Sequence, residues 1–199
     1  ATNLAKQLGI VAKLISGGLE TPVYLCTIGG FDTHANQLNQ HANLWKQISD
    51  AVTAFQKDLK TQNKADKVTL MTFSEFGRRV NQNGTTGTDH GTAAPMFVIG
   101  NTVRGGLIGD NPNLVNLDSN GDLKPNFDYR QVYSTVLSDH LGLSTTSTAG
   151  IFKKSFDRLP IFLNSPLIAE AGVKVTLLDP APNPASGQVR IQFAAFEAM

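Results

Sequence analysis

The feature that most constrains the fold is an apolar run that ends in two glycines and then in ionisable side chains. The run covers residues 22–28, and Gly29-Gly30-Phe31-Asp32-Thr33-His34 follows it. A run of this length and composition predicts a buried β-strand. In α/β proteins, ligands bind where such strands end at their carboxyl termini. The stretch therefore predicts an α/β fold that places Asp32 and His34 at a functional edge of the sheet.

The following segments predict that helices and strands alternate. Between Leu38 and Leu59, apolar residues recur every three or four positions, which predicts a long amphipathic helix. Residues 68–72 and 95–100 are apolar and predict two further strands. This order is typical of a layered αβα fold with a largely parallel sheet.

The two later strands also lie beside ionisable residues. Glu75 and Arg78 follow the second strand. Residues 81–91 contain almost no apolar side chain, which predicts an exposed loop. This loop would deliver Asp89 and His90 just before the third strand.

The C-terminal part of the chain changes character and predicts a second module. Three prolines occur between positions 180 and 184, followed by an alternating stretch over 188–193 that predicts a strand. We therefore expect a main domain over residues 1–165 and the start of a β-rich module over 173–199.

Composition excludes several classes of protein. Seventeen lysines and arginines stand against sixteen acidic residues, and this balance gives no reason to expect nucleic acid as a partner. No apolar run reaches the roughly 20 residues that span a bilayer, so no membrane span is expected. The one cysteine, Cys26, excludes an internal disulfide and a multi-cysteine zinc site.

The ionisable residues at the strand ends predict a metal site. Carboxylate oxygens and imidazole nitrogens bind divalent ions such as zinc while leaving a position open for water or substrate. We predict Asp32, His34, Asp89 and His90 as metal ligands. The alternative is that Asp32 only caps the following helix and that residues 89–91 only form a turn.

Two further residues are predicted to act in the chemistry. Glu75 would support a second ion or orient water, and Arg78 would hold an anionic substrate through its planar guanidinium. A divalent ion, which this ligand set predicts to be zinc, would stabilise charge on a transferring phosphoryl or sulfuryl group.

Three separate motifs resemble a known family. They cover residues 29–37, 72–79 and 87–96. Together they closely resemble the family labelled domain of unknown function 1501, which is similar to a branch of the alkaline phosphatase superfamily. That superfamily includes phosphatases, sulfatases and phosphomutases that use two metal ions and a Ser or Thr nucleophile. The resemblance implies that Asp32, His34 and His90 belong to one metal site.

The same resemblance implies what the chain lacks. Ser74-Glu75 stands where the superfamily has the Asp-His pair of its second metal site. The nucleophile of the superfamily comes from an N-terminal half, so we expect that a preceding part of the same protein supplies it. Residues 182–191 separately resemble the start of the C-terminal sorting domain of the Bacteroidetes type nine secretion system. That resemblance implies contact with secretion machinery and export to the periplasm, the cell surface or the medium.

The sequence thus predicts part of an exported, metal-dependent hydrolase that acts on small phosphate or sulfate esters. One alternative is an exported binding or structural protein that keeps the alkaline phosphatase-like fold without turnover. Another is a secretion cargo domain recognised only by its tail. The replaced pair at Ser74-Glu75 favours the binding protein over the enzyme.

Overall fold

The protein is a mixed α/β protein, as the sequence predicted. The computed structural model describes residues 1–163 and the backbone of residues 190–197. The helices are α1 (Asn3–Ser16), α2 (Gln37–Thr61), α3 (Tyr129–Asp139) and α4 (Thr145–Phe152). The strands are β1 (Val23–Gly29), β2 (Val68–Phe73), β3 (Gly77–Gln82), β4 (Thr88–Gly91), β5 (Val98–Ile99) and β6 (Arg190–Glu197).

The helices α1 and α2 form one side of the main core. Each carries an apolar stripe at helical spacing, and the stripes pack on each other and on β1 and β2. Thr2 caps α1, because its hydroxyl accepts a hydrogen bond from the backbone N–H of Ala5. The buried stripe residues are Leu4, Leu8, Val11, Ala12, Ile15, Ile48, Ala51, Val52, Phe55 and Leu59.

The helix α2 offers a matched test of this core. Leu59 is fully buried, whereas Leu38 at the start of the same helix is 84% exposed. We expect Leu59→Ala to lower the free energy of unfolding by about 2–5 kcal/mol, because it leaves a cavity. Leu38→Ala should change it by less than about 0.5 kcal/mol. Urea denaturation of both variants measures the difference, and equal effects would contradict the described packing.

The strand β2 is covered on both faces. Val68 and Leu70 belong to the core formed with α1 and α2, whereas Met71 belongs to a second core. The second core contains Val136 and Leu137 of α3. Because successive side chains of a strand point to opposite faces, β2 lies between two helical layers.

The sheet differs from the prediction in its pairing. Its strand order is β1-β6-β2-β5, and every strand pair among the described residues is antiparallel. Phe193 of β6 is paired with Cys26 of β1 and with Thr72 of β2. The strands β1 and β2 therefore run in the same direction, as a crossover through α2 requires, but β6 lies between them. The prediction of a largely parallel sheet considered only neighbours along the chain, and β6 comes from its distant end.

The predicted loop over residues 81–91 is wrong in part. Residues 77–82 and 88–91 form the antiparallel strands β3 and β4. A β-bulge or other irregularity lies between Arg78 and Gln82. The strands were missed because their residues are mostly polar and exposed, so no apolar alternation marks them.

The predicted domain boundary near residues 165–172 and the proline-rich segment lie outside the described residues. Of the predicted second module, only the β6 backbone is described, and it pairs within the sheet of the main domain. Among the described helices, none is both long enough and apolar enough to cross a membrane.

Candidate metal centre

The carboxyl ends of β1 and β2 place the predicted residues at one edge of the sheet. The chain leaves β1 through Gly30, whose φ of 95° is strained for any residue with a side chain. This turn presents Asp32 and His34. His90 lies on β4 and is paired with Arg78 on β3, the strand that follows β2. The turn after β1 and the paired strands β3 and β4 therefore meet at this edge.

Asp32, His34 and His90 bring one potential ligand atom each to a common point. Oδ1 of Asp32 is 2.9 Å from Nε2 of His34 and 2.8 Å from Nε2 of His90. The two Nε2 atoms are 3.2 Å apart. The side chains are 36–45% exposed, so solvent and small solutes reach them. Among the described residues, this is the group of three that could hold a metal ion.

The surroundings of Asp32 favour the ionised form of its carboxylate, which is the form that binds a metal. The pKa of Asp32 lies below its ordinary value, first because His90 donates a hydrogen bond to its carboxylate. Burial opposes this shift as the second-largest effect, and electrostatic interactions with His34, His90 and Arg78 lower the pKa further. The carboxylate is therefore ionised at neutral pH.

The two alternative interpretations, a helix cap at Asp32 and a turn at residues 89–91, are wrong. Asn36, in a left-handed conformation, is the residue that precedes the first turn of α2, and Asp32 lies outside the cap. Asp89 and His90 lie within β4 and not in a turn. Asp32 therefore does not cap α2, and Asp89 and His90 do not form a turn. Their side chains contact His34 and each other in the site, with Asp89 at His34 and Asp32 at His90.

The turn between β3 and β4 holds the backbone of His34. Asn83 donates a hydrogen bond from Nδ2 to the carbonyl of His34 at 2.9 Å, and the Thr85 hydroxyl donates to the same carbonyl at 2.6 Å. Gly87 packs so closely on His34 that a Cβ atom there would overlap with the His34 carbonyl group. The ligand segment after β1 is thus fixed by residues about 50 positions later.

Arg78 connects the same two segments. Its guanidinium donates to the carbonyl of Phe31 and to the carbonyl of Thr88. It also lies 3.8 Å from Oδ1 of Asp32. The side chain is only 17% exposed. Through these hydrogen bonds, Arg78 links the turn that carries Asp32 to β4. Its contact with a substrate anion stays a prediction.

Comparison with known proteins identifies the family. A family model described as "Protein of unknown function (DUF1501)" matches residues 18–150, which is well over half of the chain. The chain belongs to the DUF1501 family. No curated protein and no solved structure matches it. The matched region contains all three residues of the metal-ligand group.

Two predicted site residues of this DUF1501 chain lie outside the group of three. Oδ1 of Asp89 is 3.2 Å from Nδ1 of His34, which is the ring nitrogen that faces away from Asp32 and His90. The pKa of Asp89 lies below its ordinary value, chiefly because Asn83 and then His34 donate hydrogen bonds to it. Glu75 is exposed between β2 and β3 and contributes no atom to the group.

Several residues at the DUF1501 site were not predicted from the sequence. The ring of Phe76 stacks on His90, with the ring centres 3.8 Å apart, and the Arg78 guanidinium lies 4.8 Å from the same ring. Asn83 and Gly87 hold His34, as described above. The dipeptide Asn83-Gly84 is typical of a turn. Nothing in the local sequence, however, indicates what that turn contacts.

Proposed function

We propose that this DUF1501 chain carries the metal-binding part of an exported hydrolase that acts on phosphate or sulfate esters. The convergence of Asp32, His34 and His90 supports the proposal most directly. Three ligand atoms from two distant segments lie within 4.8 Å of one another. Three protein ligands with one open position are typical of catalytic zinc sites.

The ligand set fits a divalent ion in its chemistry and its spacing. Two imidazoles and one carboxylate match the ligands that bind zinc in catalytic sites. In a tetrahedral zinc site with bonds of about 2.0 Å, ligand atoms lie about 3.3 Å apart. The observed separations of 2.8–3.2 Å are slightly shorter. A small outward rotation of exposed side chains would therefore be sufficient.

The residues around the group have distinct roles in this proposal. When bound, a divalent ion supplies positive charge that stabilises a transferring phosphoryl or sulfuryl group and acidifies a coordinated water. Asp32, His34 and His90 hold that ion. Glu75, exposed between β2 and β3, orients water or supports a second ion. Arg78 orients Asp32 and, through donors that remain, attracts the anion of the substrate.

The proposal extends to fold and location. The αβα layering around β2 and the common direction of β1 and β2 support an alkaline phosphatase-like domain. The resemblance of residues 182–191 to a type nine sorting domain supports export. Small anionic esters and the secretion machinery are the proposed partners.

A non-catalytic binding protein is the second candidate, and Glu75 favours it. The superfamily has an Asp-His pair where this chain has Ser74-Glu75. Among the described residues, a second group of three potential metal ligands does not occur. A single ion suits a protein that binds an anion without turning it over.

Metal content followed by a substrate screen tests the proposal. After incubation with zinc and dialysis, we expect about one zinc ion per chain by elemental analysis. The protein should then hydrolyse an aryl phosphate or an aryl sulfate, and a chelator should remove the activity. The matched reference for metal content is Asp50→Ala, because Asp50 is an exposed acid that pairs with Lys46 on α2.

The two measurements separate the candidates. Zinc together with hydrolysis supports the enzyme. Zinc without hydrolysis of either ester class supports the binding protein. If the protein retains no divalent metal after incubation with zinc or with manganese, the result would contradict both metal-dependent proposals.

A further inference from the structure

The β3–β4 turn forms a continuous hydrogen-bond network that ends on the imidazole of His34. Oδ1 of Asn83 accepts hydrogen bonds from the backbone N–H groups of Thr85 and Gly87, each at 3.0 Å. Nδ2 of Asn83 donates to the His34 carbonyl at 2.9 Å and to Oδ1 of Asp89 at 3.2 Å. Asn83 therefore shapes the turn and holds Asp89 at the same time.

The contact between Asp89 and His34 has only one possible donor. An ionised carboxylate accepts hydrogen bonds and donates none. The 3.2 Å contact between Oδ1 of Asp89 and Nδ1 of His34 consequently requires a proton on Nδ1. Nε2 of a neutral His34 is then free of a proton on the side that faces His90 and Asp32.

The surroundings of the other ring nitrogen, Nε2 of His34, show why the position of the proton is important. Nε2 of His34 lies 2.9 Å from Oδ1 of Asp32, so Asp32 is a competing acceptor. If Asp32 were the only carboxylate in reach, a neutral His34 would place its proton on Nε2. A proton on Nε2 must leave before that atom can bind a metal, because the proton occupies the lone pair that the metal needs.

We propose that Asp89, held by Asn83, is a positioning residue that keeps the proton of His34 on Nδ1 and so presents Nε2 as a ligand. Carboxylate–histidine pairs of this kind orient metal-binding imidazoles in many sites. This role differs from the direct ligand role that the sequence predicted for Asp89. Its consequence for metal affinity rests on the proposed metal site, whereas the position of the proton does not.

The position of the proton is measured first, in the metal-free protein. Nitrogen NMR of the histidine side chains at about pH 8, above the ordinary histidine pKa of about 6.5, reports which ring nitrogen carries the proton. His34 is assigned among the four histidines by the signal that His34→Gln removes. We expect Nδ1 to be protonated in the unchanged protein and Nε2 in Asp89→Ala. Asp50→Ala removes an exposed acid from α2 and should leave His34 as it is.

Zinc affinity is measured second, in a double-mutant cycle. Asp89→Ala should weaken zinc binding about 10- to 100-fold, as expected for loss of a partner that orients a ligand. The same change should have no further effect in a protein that already carries His34→Ala, because Asp89 acts through that ring. Thermal unfolding of the metal-free variants shows whether Asp89→Ala leaves the fold intact, as the 57% exposure of its side chain predicts.

Each result decides a separate point. A proton on Nε2 in the unchanged protein, or on Nδ1 in Asp89→Ala, would overturn the role of Asp89. An equal loss of zinc affinity from Asp89→Ala with and without His34 would overturn it too. A correctly placed proton in a protein that binds no metal would support the role of Asp89 and overturn the proposed metal site.

Discussion

Replacing Asp32 with asparagine should lower zinc affinity by more than about 100-fold. Loss of a partner that only orients a ligand already costs about 10- to 100-fold, and Asp32 is the one anionic member of the group. Its Oδ1 is also the atom that both histidines contact, at 2.9 and 2.8 Å. Asparagine keeps the size of the side chain and removes the charge. Isothermal titration with zinc measures the effect.

The control for Asp32→Asn is the same change at another exposed acid. Asp50→Asn removes one negative charge from α2, where Asp50 pairs with Lys46. It should leave zinc affinity unchanged. If both variants bind zinc as the unchanged protein does, the metal lies elsewhere or the group of three does not bind one. If Asp32→Asn also loses its cooperative thermal unfolding, His90→Gln provides an independent removal of a ligand.

Replacing Gly87 with alanine should displace the segment that carries His34. A Cβ atom at this position would overlap with the carbonyl carbon and oxygen of His34, both of which are backbone atoms that cannot rotate away. We expect a loss of about 2–3 kcal/mol in the free energy of unfolding, typical of strain from overpacking. Zinc affinity should fall as well, because His34 and the hydrogen bonds to its carbonyl move together. Urea denaturation and zinc titration measure the two effects.

Gly84 provides the matched control on the same turn. Nothing lies within 4 Å of a Cβ atom built on Gly84, and its φ is outside the left-handed region. Gly84→Ala should therefore change stability by less than about 0.5 kcal/mol and leave zinc binding unchanged. Equal effects at the two glycines would show that general loss of turn flexibility, and not contact with His34, explains the result.

Local patterns were sufficient for α2, for β1 and for the candidate ligands, but not for β3 and β4. The apolar stripe that ends at Leu59 identifies α2, and the run before Gly29 identifies β1. Asp32, His34 and His90 stood out because ionisable residues directly beside an apolar strand have few structural reasons to be there. The structure brings Asp32, His34 and His90 together, with His90 inside β4 and not at the end of a strand. Glu75 contributes no atom to this group, because the direction of a side chain in a turn depends on its surroundings.

The roles of the neighbouring residues could not be read from the sequence. Arg78 was predicted to hold a substrate anion, and the structure adds that its guanidinium bonds to carbonyls of two segments. Asp89 was predicted as a ligand, and its carboxylate lies at Nδ1 of His34. A residue type indicates which interactions are possible. Only the position of partners elsewhere in the chain determines which of them form.

The amino-acid sequence thus predicted α2, the strands β1, β2 and β5, and the candidate ligand residues, because these follow from periodicity and from residue chemistry within short segments. Tertiary structure decided that β6 lies between β1 and β2, that the polar residues of β3 and β4 pair, and that the turn near Asn83 holds His34. Those arrangements depend on hydrogen bonds to backbone groups that every sequence possesses. Their partners are therefore selected by the packing of distant segments and not by the local pattern.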